Sequence, residues 1–231
     1  YTLGTGCKAT TTVTVHPLPA AITGTFDVCS GLTTTLGDAS GSGSWTSGST
    51  GIATIGSLSG VVTGLSAGVS EITYSLPTGC LTTSTLTVNP LPSAISGASV
   101  ICPGVTTTLT DAGGGTWVSG TVGVAIVGSS SGDVTGVSLG TATISYTLST
   151  GCGITTVITV NSSPAAISGT GEVCAGATTN LTEAGGGTWS SATPAVATVG
   201  SSTGTVTGVS ADTCTVTYSL GAGCVASTVV T

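Results

Sequence analysis

Eight cysteines are the residues of this sequence best suited to chemistry, because a thiol can form a disulfide, bind a metal or act as a nucleophile. Most of them recur at fixed positions along the chain, and the full set is Cys7, Cys29, Cys80, Cys102, Cys152, Cys174, Cys214 and Cys224. Repeated single cysteines indicate a disulfide framework and an oxidising, extracellular location. Zinc binding is the weaker interpretation, since there is no Cys-x-x-Cys pair and only one histidine, His16.

No catalytic centre is predicted from the remaining polar residues. A nucleophile, a base and an orienting group cannot be assembled from His16, which lies in a linker, and scattered hydroxyls. One acid recurs in each repeat, as Asp38, Asp111 and Glu183. A single carboxylate can cap a loop by accepting backbone N–H groups, whereas calcium requires several converging oxygen ligands. The sequence therefore predicts a protein that is not an enzyme and holds neither a cofactor nor a metal.

Charge is nearly absent from the chain. Charged residues make up 4% of the sequence, against roughly 25% in an average soluble domain. One lysine, Lys8, and eight acids give a net charge of −7, which argues against nucleic acid because phosphate binding requires clustered cations. No apolar run approaches the roughly 20 residues of a membrane helix, so no span is expected within this sequence.

The spacing of the cysteines follows an internal repeat of the sequence. Trp45, Trp117 and Trp189 stand 72 residues apart, and Tyr74, Tyr146 and Tyr218 keep the same step. A period of this length predicts a tandem array of small modules. The expected divisions are a closing hairpin of a preceding repeat at 1–15, followed by repeat 1 at 16–88, repeat 2 at 89–160 and repeat 3 at 161–231.

Each repeat is predicted to fold as a β-sandwich of about seven short strands. Glycine-rich turns separate runs in which apolar β-branched residues alternate with threonine, and no helical period is present. Ile72, Tyr74 and Leu76 fall on one face of a strand while Thr73 and Ser75 fall on the other, which is typical of a half-buried antiparallel strand. The repeated aromatic residues are expected to anchor the core: Trp45, Trp117, Trp189, Tyr74, Tyr146 and Tyr218.

A family resemblance is carried by the third repeat. The runs Gly187–Val199, Gly204–Ser210 and Val216–Tyr218 resemble the group 2 bacterial immunoglobulin-like domain, which has a Trp-Ser-Ser strand, an Ala-Thr-Val strand and a Thr-Gly-x-Val-Thr-Gly strand. Repeats 1 and 2 keep the central motif at Gly60–Gly68 and Gly132–Gly140. The cysteines and proline-rich joints also resemble PKD-like repeats of large bacterial surface proteins. The resemblance implies an immunoglobulin-like fold, arranged end to end, in adhesins, invasins and surface polymers.

Three disulfide pairings suit the repeats. Pairing within a repeat is typical of small secreted domains and leaves Cys7 and Cys214 over; it would give Cys29–Cys80, Cys102–Cys152 and Cys174–Cys224. Pairing across each joint uses all eight cysteines, but the expected layout places those sulfurs too far apart; it would give Cys7–Cys29, Cys80–Cys102, Cys152–Cys174 and Cys214–Cys224. The first pairing meets a similar objection, since its turns would lie at opposite poles of a repeat. A staggered pairing, Cys29–Cys152 and Cys102–Cys224, would join the bottom of one repeat to the top of the next.

Two functions remain open at this stage. The first is a structural segment of an extracellular bacterial filament or surface stalk, whose partners are neighbouring copies or further repeats of the same kind. The second is a set of adhesin repeats that bind a ligand or surface glycans, which predicts one repeat that diverges from the others. Repeat 3 has Cys214 where its relatives have Ser70 and Ala142, but one thiol is a poor sign of a binding site. The hairpin 1–15 belongs either to an incompletely represented repeat or to a strand donated to a neighbouring subunit.

Overall fold

The computed structural model describes residues 1–231 and contains strands and turns but no helix. About 45% of the residues lie in strands, and the predicted all-β fold of immunoglobulin-like β-sandwiches is confirmed. The chain divides into two compact units, Tyr1–Leu91 and Pro92–Thr231. None of its segments forms a helix long and apolar enough to cross a membrane.

The first unit contains one sandwich of eight strands. They are β1 (Thr23–Gly24), β2 (Asp27–Cys29), β3 (Thr33–Gly37), β4 (Ser44–Ser47), β5 (Ala53–Ile55), β6 (Val61–Gly64), β7 (Gly68–Ser75) and β8 (Leu81–Asn89). One sheet has the order β1-β3-β6-β5 and the other β2-β8-β7-β4. The strands alternate between buried apolar and exposed polar residues, so each sheet turns one face inward.

The second unit contains two further sandwiches, each with its own core. The strands of the first are β9 (Val100–Ile101), β10 (Thr106–Thr108), β11 (Thr116–Ser119), β12 (Ala125–Val127), β13 (Asp133–Gly136), β14 (Gly140–Thr147) and β15 (Gly153–Val160). The strands of the second are β16 (Thr178–Asn180), β17 (Thr188–Ser191), β18 (Ala197–Val199), β19 (Thr205–Gly208), β20 (Cys214–Ser219) and β21 (Val225–Val230). Their sheets are β10-β13-β12 with β11-β14-β15-β9, and β16-β19-β18 with β17-β20-β21.

A tryptophan and a tyrosine pair across neighbouring strands at the centre of each core. In the second repeat Trp117 on β11 lies opposite Tyr146 on β14, with ring centroids 4.5 Å apart. The corresponding centroid distances in the first and third repeats are 4.6 and 4.8 Å. All six rings are buried. Tilted aromatic pairs of this kind add specific attraction to the burial of apolar area.

One glycine in each repeat fits against this aromatic pair. Gly132, just before β13, has a φ of +73°, and its carbonyl accepts the N–H of Leu109 at 2.9 Å. A Cβ at this position would overlap the carbonyl oxygen of Leu109 and would lie 3.1 Å from Trp117 Nε1. Gly60 and Gly204 have the same conformation. The glycine is therefore required by both the turn and the packed ring.

The first fifteen residues are exposed, and residues 2–8 of them form a turn. A bridge joins Thr2 to Lys8, and the N–H of Leu3 donates to the carbonyl of Cys7 at 2.8 Å. The equivalent bond in the closing hairpin of repeat 1 runs from Leu76 to Cys80 at 2.9 Å. The segment thus has the turn geometry of a closing hairpin, although no regular strand is formed in it.

Candidate functional site

The covalent chemistry of the second unit is concentrated in the disulfide between Cys102 and Cys224. Their Cα atoms are 5.6 Å apart, their sequence separation is 122 residues, and their exposed fractions are 1% and 3%. Cys102 directly follows β9, which pairs in parallel with the end of β15. Cys102 therefore lies at the end of repeat 2 from which the chain leaves for repeat 3, and Cys224 lies in the closing hairpin of repeat 3.

The chain around this bond is closely packed and uncharged. Cys102 Sγ lies 3.4 Å from the carbonyl oxygen of Ser162, in the segment between the two repeats. Gly223 has a φ of +79°, and a Cβ there would lie 3.1 Å from Val105 Cγ1 of repeat 2. A cavity of about 280 Å³ beside the bond is lined by Val100, Asn161, Ser162, Leu220, Gly221, Ala222 and Cys224. None of these residues supplies an ionisable group, so the cavity is not equipped for acid or base catalysis.

The observed bond corrects two of the three expected pairings. Pairing within repeats is wrong, since Cys224 bonds to Cys102 and Cys174 is free. Pairing across the joint is also wrong, because Cys80 is free and cannot hold Cys102. Cys29 and Cys152 are also disulfide-bonded cysteines.

The physical reason lies in the length of the last strand. In repeat 3 the N–H of Val173, beside Cys174, donates to the carbonyl of Thr231 at 2.9 Å, just beyond the end of β21. Cys224 immediately precedes the start of the same strand. Six residues at about 3.3 Å each put the two cysteines roughly 20 Å apart, well beyond the reach of a disulfide.

Four cysteines are free, and their environments differ. Cys7 and Cys174 are exposed, Cys80 is half-buried and Cys214 is buried. Cys80 and Cys174 were expected to be half-cystines, and within these 231 residues they carry no bond. Cys80 Sγ lies 3.8 Å from the carbonyl oxygen of His16, in the segment that enters repeat 1.

Cys214 takes the place of a core hydroxyl. Its Sγ lies 3.1 Å from Ser191 Oγ, and in repeat 1 the equivalent Ser70 Oγ lies 2.8 Å from Ser47 Oγ. Ser191 also donates to the carbonyl of Ala197 at 2.6 Å. The thiol therefore belongs to the packing of the sandwich and not to the set of cysteines that link repeats.

A second repeated arrangement joins the core tyrosine to a glycine loop. The hydroxyl oxygen of Tyr146 accepts the N–H of Gly115 at 2.5 Å. Tyr74 and Tyr218 accept in the same way from Gly43 and Gly187, at 2.8 and 2.5 Å. The 72-residue recurrence of the glycine was the signal in the sequence that could have revealed this bond. Burial of the ring alone did not specify a partner for the hydroxyl.

The repeated acids cap the same loops. Asp38 Oδ1 accepts the N–H of Ser40 at 2.7 Å, and Asp111 Oδ1 accepts that of Gly113 at 3.0 Å. Glu183 accepts from Gly185 at 2.6 Å and from Ala165 at 2.7 Å. The backbone N–H of Gly185 is the largest cause that lowers the pKa of Glu183 below its usual 4.5. In each repeat the acid thus accepts backbone N–H groups, as a carboxylate that caps a loop does.

The capped loops border small pockets in repeats 1 and 2. The pocket of repeat 2 measures about 150 Å³ and is lined in part by Asp111, Gly115, Trp117 and Tyr146, and its counterpart in repeat 1 measures about 270 Å³. No three His, Cys, Asp or Glu side chains come together as metal ligands. With one carboxylate each, the pockets can hold a loop in place but do not assemble a reacting group with a base.

The class of protein that fold and site define is a tandem array of immunoglobulin-like β-sandwiches, of which the second and third are joined by a disulfide. No family model and no curated protein matches the sequence. Solved structures similar to it include surface layer protein SbsC, domains 1–6, at 19% identity and a TM-score of 0.31, covering 93% of this chain and 40% of that one.

Two further similar structures are fragments of intimin and of a protocadherin. One is the C-terminal 282-residue fragment of intimin in complex with the translocated intimin receptor (Tir) intimin-binding domain, at 18% identity and a TM-score of 0.42, covering 64% of this chain and 67% of that one. The other is protocadherin gamma B2 extracellular cadherin domains 3–6, at 14% identity and a TM-score of 0.26, covering 91% and 71%. This chain spans less than half of the surface-layer fragment, and these similarities concern the fold alone.

Proposed function

We propose that this chain is a structural segment of an extracellular bacterial filament or surface stalk built from tandem immunoglobulin-like repeats. The observation that carries the proposal is the Cys102–Cys224 bond, which joins the end of one repeat to the closing hairpin of the next. A binding domain needs a stable core in each repeat, but it does not need a covalent bond between repeats. An array that carries mechanical load needs such a bond, because separation or bending at the joints between repeats would limit its strength.

The size of the closed loop supports a mechanical role. A bridge across 122 residues lowers the entropy of the unfolded chain by an amount equivalent to about 5 kcal/mol at 25 °C. The bridge also encloses nearly all of repeat 3 together with most of repeat 2. Neither repeat can then be pulled away from the other while the bond is intact.

The chemistry of the chain supports a location outside the cell. Disulfides persist in oxidising compartments and are rare in the cytosol. The single lysine leaves trypsin-like proteases one site to cleave. We assign the chain to the group 2 bacterial immunoglobulin-like family on the motifs of its third repeat, and we take further repeats or neighbouring copies of the same chain as its partners.

Electron microscopy of native, unreduced material tests this proposal. Continuous filaments in which repeats follow one another at a constant angle are expected. Flexible strings of separate beads would overturn the structural function and favour adhesin repeats whose binding end lies elsewhere.

The joint itself is tested with a double variant, Cys102→Ser/Cys224→Ser. Class averages of the purified chain should show a wider range of angles between repeats 2 and 3 than in the unsubstituted protein. Cys214→Ser is the matched control, because it removes a buried cysteine that forms no bond. An unchanged range of angles in the double variant would contradict a stiffening role for the bridge.

A further inference from the structure

Repeat 2 differs from the other repeats in the way its entering segment meets the loop that its acid caps. In repeat 1 the N–H of Ala20 donates to Ser40 Oγ at 2.7 Å. In repeat 3 the N–H of Ala165 donates to Glu183 Oε1 at 2.7 Å. Ser93 is the equivalent residue of repeat 2, and it makes no hydrogen bond to its loop. The entering segment is therefore bonded to the loop in repeats 1 and 3 and not in repeat 2.

One methylene group explains the difference between repeats 2 and 3. Asp111 and Glu183 stand at the same position, and Glu183 uses one oxygen for the N–H of Gly185 and the other for that of Ala165. Asp111 Oδ1 accepts the N–H of Gly113 in the same way, but Oδ2 of the shorter side chain is buried and has no hydrogen-bond partner. A buried carboxylate oxygen without a donor is unfavourable, so this position favours a donor supplied by a ligand.

A groove lies between the entering segment and the loop of repeat 2. Its volume is about 360 Å³, and it is lined by Ser93, Ala94, Ser96, Thr110, Asp111 and Ala112. This volume falls within the roughly 300–1,000 Å³ of small-molecule sites. Asp38 of repeat 1 also has a buried Oδ2 without a partner, but there the bond from Ala20 to Ser40 holds the entering segment against the loop. The combination of an open groove and an unpartnered acceptor is thus particular to repeat 2.

The polar groups of the groove suit a ligand that carries hydroxyls. The N–H of Ser93 is a donor, and the carboxylate of Asp111 is an acceptor. The hydroxyls of Ser96 and Thr110 bond to each other at 2.7 Å and keep further capacity to accept. A sugar hydroxyl can donate to a carboxylate and accept from an N–H at the same time. Neighbouring hydroxyls of one sugar ring therefore match the groups that line the groove.

The surroundings of the groove narrow the class of ligand further. Ala94 and Ala112 are exposed, and their methyl groups offer apolar contact to the C–H groups of a sugar ring. The second unit contains no lysine or arginine, so no cation offsets the charge of Asp111. Phosphates, sulfates and uronic acids are therefore disfavoured, because their charge has the same sign as that of the site.

We propose that this groove of repeat 2 binds one neutral sugar ring, a hexose unit of a glycan. The carboxylate of Asp111 accepts from one ring hydroxyl, and the N–H of Ser93 donates to a neighbouring one. The Asp111 side chain is partly exposed and the χ2 torsion of aspartate is soft, so a modest rotation turns Oδ2 towards the ligand. The site goes beyond the structural function, because a stalk can carry it without any change at the joints between repeats.

The test uses NMR of the full chain, oxidised and labelled with nitrogen-15, and the methyl pyranosides of glucose, galactose and mannose as probes. At least one probe should shift the amide resonances of Ser93, Asp111 and Ala112, with saturation at about 1–10 mM for one small ring held by a few hydrogen bonds. The methyl glycoside of the corresponding uronic acid should bind at least about tenfold more weakly at pH 7. No shift with any of the three probes, or shifts spread over all three repeats, would overturn the inference.

Two variants exchange the side-chain lengths of repeats 2 and 3. Asp111→Glu should lose at least about tenfold in affinity, because the longer carboxylate reaches the N–H of Ser93 and the bonds to the sugar are lost. Glu183→Asp is the matched converse, and it should create sugar-dependent shifts at Ala165 and Ala184. Undiminished binding by Asp111→Glu would overturn the inference, and so would equal affinity for the uronic acid. Filaments should form as before with Asp111→Glu, so a failure of the sugar site leaves the structural function intact.

Discussion

The hydroxyl of Tyr146 should contribute to stability through one bond that can be removed without disturbing the core. Tyr146→Phe keeps the ring, which is 2% exposed and paired with Trp117, and deletes the acceptor of the Gly115 N–H. Loss of this hydrogen bond lowers the free energy of unfolding by about 1 kcal/mol, and the Gly115 N–H left without an acceptor lowers it further. Because Gly115 is half-buried, the expected total is about 1–2 kcal/mol, at the lower end for an unsatisfied group.

Urea unfolding followed by fluorine NMR of 5-fluorotryptophan measures this effect, since each repeat contains one tryptophan and should give one resonance. A slope of about 2 kcal/mol/M, which is usual for a small domain in urea, predicts that the midpoint reported by Trp117 falls by roughly 0.5–1 M. Tyr1→Phe is the control, because the ring is 88% exposed and a surface change should stay within about 0.5 kcal/mol. A Tyr146→Phe midpoint equal to that of the control would refute a stabilising role for the bond.

Three other substitutions test the glycine, the core thiol and the capping acid. Gly132→Ala should cost more than about 2 kcal/mol in urea unfolding, because its Cβ would overlap the backbone carbonyl oxygen of Leu109 and also press on the Trp117 ring. Gly151→Ala, with a similar φ of +84° but open space around it, should cost about 1–2 kcal/mol. Cys214 should resist alkylation by iodoacetamide until the chain unfolds, and rapid alkylation of the native protein would contradict its burial. Cys214→Ser should lower the free energy of unfolding by less than about 1.5 kcal/mol if the thiol replaces a hydroxyl in the core. Hydrogen bonds from the backbone lower the folded-state pKa of Glu183. These bonds therefore stabilise the fold fully at pH values above the usual carboxyl pKa of 4.5. Their contribution is lost as the pH falls through the lowered pKa. Unfolding midpoints measured from pH 7 down to pH 2 should therefore fall less in Glu183→Gln than in the exposed control Glu71→Gln, and equal slopes would count against the capping contact.

The repeat and the fold class could be predicted from the sequence because they depend on local patterns. Alternation in β7 follows from a strand with one buried face, and the Trp117 and Tyr146 spacing places both residues in the same core. The partner of the Tyr146 hydroxyl could not be predicted in the same way. Gly115 lies 31 residues away, and only the register between β11 and β14 brings the two together.

The disulfide pattern was harder to predict for a different reason. Two cysteines per repeat favour a closed pair within each repeat, but Cys174 and Cys224 lie near opposite ends of β21. The expected layout already placed the two turns at opposite poles of a repeat, but it left pairing within a repeat open beside the staggered pairing. The strand length decides the pairing, because six extended residues exceed the reach of one disulfide.

The interactions that stabilise the array are of two kinds, those within one repeat and the disulfide between two repeats. The aromatic pair, its glycine and the capped loop are complete within one repeat, so each repeat can build its core without its neighbours. The cysteines of Cys102–Cys224 come from two repeats, and neither repeat can form that bond alone. Loss of the bond should therefore weaken the joint and leave the cores intact, whereas loss of a core residue should unfold one repeat while the covalent connection to the next is kept. Buried Cys214 supports this division, because a cysteine placed inside the core serves the packing of its own repeat and takes no part in the linkage.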